Sequence, residues 1–134
     1  MTFIWMFLIA FMIFIVIDLI WLGMVAKNFY ADQLKGLMTD KVNWAAAIIF
    51  YLLYVFGLVV IVISPAVNDG NVFQAFWFGG FVSFLMYATY DLTNLATLKN
   101  WPLKMTLVDL VWGASLGSLT SGLTALIITA LGVA

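Results

Sequence analysis

"MTFIWMFLIAFMIFIVIDLIWLGMVA", residues 1–26, decides the fold. Seventeen apolar or near-apolar residues precede Asp18, and the apolar run resumes directly behind it. A hydrocarbon core about 30 Å thick takes about 20 residues of helix, so this stretch is long enough to cross it. It lacks the basic start and the small-residue cleavage site of a signal peptide, and its apolar core is too long, so it reads as a retained helix. The rest of the chain has the same character: of 134 residues, 66% are hydrophobic and only 8% charged. A soluble domain cannot cover that much apolar surface, and the class implied is an all-α integral membrane protein.

Three further apolar stretches follow, so that spans are expected at about 2–26, 42–63, 72–94 and 105–132. That leaves no room for a soluble domain. The expectation is a single transmembrane domain over 1–134, an antiparallel four-helix transmembrane bundle. In "KNFYADQLKGLMTDKVN", residues 27–43, Tyr30, Leu34, Leu37 and Met38 recur at helical spacing, with Asp32, Gln33, Lys35 and Asp40 facing elsewhere. It reads as a short amphipathic interfacial helix between spans 1 and 2. "SPAVNDGN", residues 64–71, reads as a tight turn broken by Pro65 and Asp69-Gly70, and Pro102 suits the start of the last helix.

The lysines orient the bundle. Lys27, Lys35 and Lys41 fall in the first connection and Lys99 and Lys104 in the third, with none in the second or at the ends. The positive-inside rule then makes these two connections cytoplasmic and both termini external. No cysteine and no histidine are present, which excludes disulfides, thiolate metal sites, a histidine base and a histidine-ligated haem. No cofactor or metal motif is found, and a net charge of -1 gives no reason to expect nucleic acid.

Three acids break the apolar pattern. Asp18 precedes Lys27 by nine residues, Asp91 precedes Lys99 by eight, and Asp109 follows Lys104 by five. At about 1.5 Å per residue they lie roughly 8 to 14 Å inside the lysine level, in one half of the bundle. "DLIW" at 18–21 echoes "DLVW" at 109–112, so that Trp21 and Trp112 each stand one turn beyond an acid. On the third span Tyr87, Asp91 and Asn94 share a face. An ionised carboxylate in a bilayer costs about 2.5–3.5 kcal/mol even on a lenient scale, and no intramembrane cation compensates it here. Carboxyls that meet also repel, so at least one is expected to carry a proton.

Two readings compete for these residues. Neutral aspartates can clip helices together, Asn94 can cap its helix, and the tyrosines and tryptophans can be ordinary interfacial aromatics. Alternatively Asp18, Asp91, Asp109, Asn94, Trp21, Trp112 and Tyr87 form a proton- or ligand-binding site, the usual meaning of intramembrane acids. "GASLGSLTSG", residues 113–122, adds small residues four apart. They fit close packing against Gly79, Gly80 or Gly57, or a homodimer seam. Phe3, Phe7, Phe11 and Phe14 of the first span are expected to face lipid or a fatty ligand.

"DLIWLG", "WAAAIIFYLLYVFGL", "SPA", "YATYDLTNLATLKNWP" and "DLVWG", in this order and at these spacings, resemble a family of small four-span bacterial membrane proteins grouped as a domain of unknown function. The resemblance covers nearly the whole chain and implies a bacterial inner-membrane address, without an activity, cofactor or catalytic residue. The residues themselves favour proton- or cation-linked transport or binding of a small ligand at the cytoplasmic side. The alternatives are an accessory or assembly protein, in a homodimer or larger membrane complex, and a lipid- or isoprenoid-modifying enzyme with an aspartate as general base. The enzyme is disfavoured by the missing histidine, cysteine and phosphate-binding motifs.

Overall fold

The computed structural model describes residues 2–38 and 41–132, and Asp40 of the first connection lies outside them. The first span is α1 (Thr2–Ile20), which widens into a π-turn over Trp21–Val25. The short helix α2 (Lys27–Gln33) follows. The second span is α3 (Trp44–Leu58), a π-turn at Val59–Ile63, and α4 (Ser64–Asn68). The third is α5 (Val72–Thr97) and the fourth α6 (Leu103–Leu131). All four are long and apolar enough to cross a membrane.

Local chemistry sets most of the boundaries. The Asn43 side chain accepts from the Ala46 N–H and that of Asn71 from the Gln74 N–H, each at 3.1 Å, satisfying an otherwise orphaned donor at the start of α3 and α5. Pro102 stands at the start of α6, where its missing N–H is harmless. Asp69-Gly70 makes the expected turn, with Gly70 at φ +66°. Pro65, however, does not end the second span. The π-turn before it already spaces its hydrogen bonds one residue wider, and Pro65 enters the first turn of α4, where no donor is required.

Three further expectations need correction. The connecting helix stops at Gln33, because Gly36 at φ +88° turns the chain out of helical conformation, and Leu37 is exposed. Helix α5 runs three residues beyond 94, so Asn94 sits within the helix and caps nothing with its side chain; its backbone carbonyl accepts from the Leu98 N–H at 2.8 Å. Phe14 is in the core at 1% exposure, its ring 5.4 Å from Tyr51 and 5.3 Å from Tyr54. Phe3 is exposed, and Phe7 and Phe11 are partly buried against the core.

The small-residue stripe of α6 is consumed within the chain. A Cβ on Gly79 would stand 2.6 Å from the Ser121 Cβ and 2.7 Å from the Gly117 carbonyl oxygen, and one on Gly117 would collide with Ser83. A Cβ on Gly113 would strike Tyr87, and one on Gly122 Phe76. Backbone-to-backbone approach of α5 and α6 is therefore what these glycines allow, and the stripe is not free to serve as a seam between copies. Gly57 takes no part; its open side meets only Met86, at 4.0 Å.

Candidate functional site

The bundle is solid at one end and hollow at the other. Val55, Leu58, Val59, Val62, Ile63 and Ala66 are fully buried, the π-turn among them packing on α1, α5 and α6. Tyr54 and Ser83, 2.5 Å apart through their hydroxyls, join the second span to α5. Towards the lysine-bearing connections the two separate. Phe50, Tyr51, Tyr87 and Tyr90 stand in the gap, and a cavity of about 380 Å³ opens there, lined also by Asp18, Asp109, Trp21, Trp112 and Tyr30. A second hollow of about 320 Å³ continues it between Phe50, Met86, Tyr87 and Tyr90.

Each polar group arrives through its own element. Asp18 stands half-buried on α1, one turn before the π-turn that carries Trp21. π-turns widen a helix locally and recur at functional sites. The Trp21 ring lies flat on that of Trp112, with centroids 4.3 Å apart and planes within 7°, so the two DLxW echoes meet. Helix α2 folds back over them. The Trp21 indole N–H donates to the Tyr30 hydroxyl at 3.1 Å, and Tyr30 donates to Asp109 Oδ1. Burial, reinforced by this bond to Asp109, holds the Tyr30 phenol above its ordinary pKa, so it remains a donor at neutral pH. Lys104, 5.9 Å from the Phe29 ring centroid, holds the same short helix from the α6 side.

Asp91 is the anomaly. It is 0% exposed, and neither of its carboxyl oxygens has a hydrogen-bond partner among the described residues. Its neighbour is Asp109, 8% exposed. The two carboxyls interact directly, and among the described residues no donor group reaches either oxygen of Asp91. Leaving a buried carboxyl unpaired is costly, and two ionised carboxylates in one enclosed space are costlier still. The chain contains no arginine, and no lysine lines the cavity. The charge at this pair must therefore be met by a proton or by something that enters.

Of the residues singled out in the sequence, Asp18, Trp21, Tyr87, Asp109 and Trp112 line one cavity, and Asp91, outside the lining, interacts with Asp109. Asn94 is half-buried beyond Asp91 and does not reach the cavity wall. Tyr30, Tyr51 and Tyr54 join the site without being among those residues. The pair in "YLLY", residues 51–54, carried a usable signal, since phenols deep in a span need partners. Tyr30 carried none beyond a place on the apolar face of the connection. Among the described residues no cluster of three metal-ligating side chains is found.

The model of a family described as "Predicted membrane protein (DUF2177)" matches residues 3–126. No curated protein and no solved structure matches the chain.

Proposed function

We propose, for a chain that belongs to the DUF2177 family of predicted membrane proteins, that the Asp91–Asp109 pair is an exchangeable proton or cation site serving the binding or transport of a small ligand. The observation that carries this reading is Asp91, fully enclosed, with both carboxyl oxygens unpartnered beside a second carboxyl. A residue retained only to hold helices together would spend its oxygens on donors. Here they meet no donor among the described residues and interact with another acid, which stabilises nothing until a proton or cation joins the pair. Asp18 on the cavity wall offers a further acceptor on the path inward. With the lysine-bearing connections taken as cytoplasmic by the positive-inside rule, the cavity opens to the cytoplasm of a bacterial inner membrane.

One observation favours the alternative. Asp109 accepts from Tyr30, which is what a structural clip between α2 and α6 would look like, and an accessory role needs nothing more. The two readings separate on proton uptake. In weakly buffered lipid nanodiscs, acid–base titration of wild type minus the Asp91→Asn, Asp109→Asn double variant should show at least one additional exchangeable proton per chain. Identical titrations of two folded proteins would leave the clip alone standing. Topology is tested separately. Because the chain has no cysteine, single cysteines at Asn100 and Asn68 should react from inside and outside the cell respectively.

A further inference from the structure

The cavity and the hollow that continues it differ in chemistry, and the difference points to a kind of ligand. The cavity presents two carboxyls, Asp18 and Asp109, among tyrosine and tryptophan rings, with no basic side chain in its wall. The hollow is walled by Phe50, Met86, Tyr87 and Tyr90 and carries no charge; Phe50, Tyr87 and Tyr90 border both spaces. Acid at one end and hydrocarbon at the other, joined by aromatic faces, is the complement of an amphipathic cation.

We infer that the site takes a lipophilic organic cation, an amine or quaternary ammonium with one alkyl chain, its head beside Asp18 and Asp109 and its chain in the Phe50–Met86–Tyr87–Tyr90 hollow. This rests on the exchange site proposed above and names its ligand. Asp91, fully buried and with no donor on either oxygen among the described residues, adds to the wall's two carboxyls a third acid without a compensating cation. An inorganic cation suits the site poorly. A hard divalent ion needs six or more oxygens, and the acids here do not form a metal-ligating cluster among the described residues. A soft, weakly hydrated ammonium gains from ring faces and loses little on leaving water. The head enters as one proton leaves the acidic group for the aqueous end, so the net charge in the bundle is conserved.

The test uses the full chain in nanodiscs of zwitterionic lipid, with empty discs subtracted, and reads proton release and binding heat together. Decyltrimethylammonium should bind saturably and release one proton per chain, at a concentration at least about ten-fold below tetramethylammonium, which has the head without the chain. Decyl maltoside, with the chain and no charge, should release none. Asp109→Asn should abolish the release, with Asp18→Asn as the second variant should the first fail to fold. Met86→Trp, which fills the hollow, should weaken decyltrimethylammonium several-fold more than tetramethylammonium. Equal potency of the two ammonium ions, or release by decyl maltoside, would overturn the ligand class. Release by sodium or tetramethylammonium and not by decyltrimethylammonium would overturn it while leaving the exchange site in place. If no cation releases a proton that direct titration shows to be there, the ligand is not a cation. If titration shows no such proton, both proposals fall together.

Discussion

The two ends of this bundle are built from the same four apolar spans, yet they solve opposite problems. At the end without lysines, Leu58, Val59, Val62 and Ile63 of the second span fill the space between α1, α5 and α6 with no exposure, and the Gly79–Gly117 contact brings two backbones together. At the lysine-bearing end the second span stands away from α5, and the room is given to carboxyls and phenols. A membrane helix gains little from apolar burial alone, since lipid is as apolar as leucine, so fit decides where helices close. Small residues and β-branched wedges close one end here, and four large aromatics hold the other open.

The largest effect should come from breaking the closed end. Gly117→Leu would drive a side chain into Ser83 and the Gly79 carbonyl, and is expected to abolish the folded, monodisperse protein in detergent. Gly23→Leu, where a Cβ meets nothing within 4 Å, should be tolerated. Size-exclusion profiles compare the two directly. Next, Leu58→Ala should cost about 2–5 kcal/mol in a denaturation series, because the rigid surroundings cannot collapse onto the gap. The same truncation at Phe50, 49% exposed on the cavity wall, should cost far less.

The open end should answer in the opposite sense. Asp91→Leu removes an unsatisfied buried acid and is expected to raise stability by about 1–3 kcal/mol. A clip would lose stability instead, so thermal midpoints decide the sign. The smallest effect is expected from Tyr30→Phe, which deletes one hydroxyl linking Trp21 to Asp109. About 1–2 kcal/mol of local stability should be lost, seen as faster amide exchange over residues 27–33 with little change in the bundle.

Much of this contrast was legible in the chain. Hydropathy and helix length locate the four spans, and lysine spacing puts Asp18 and Asp109 at one depth, where they do share a cavity. The glycine stripe announces the α5–α6 contact, though not that α5 would use all of it. What escaped were the departures from regular helix and the contacts that depend on them. Nothing in "VVIVI" marks a π-turn, and so Pro65 read as a stop. Nothing in "WLGMV" shows that the chain would widen and send Tyr30 back onto Asp109. Asn94 was placed by helix periodicity alone, which fixes a face and not a wall.

Infrared spectroscopy of the carboxyl stretch tests the central claim, that the open end exists to hold an exchangeable charge, most directly. At neutral pH the wild type should show an absorption of a buried, protonated carboxylic acid that shifts in heavy water, is lost in Asp91→Asn and in the Asp91→Asn, Asp109→Asn double variant, and disappears when a bound cation takes the proton's place. A spectrum without that absorption, or one that neither variant alters, would contradict the account and leave Asp91 and Asp109 as packing residues.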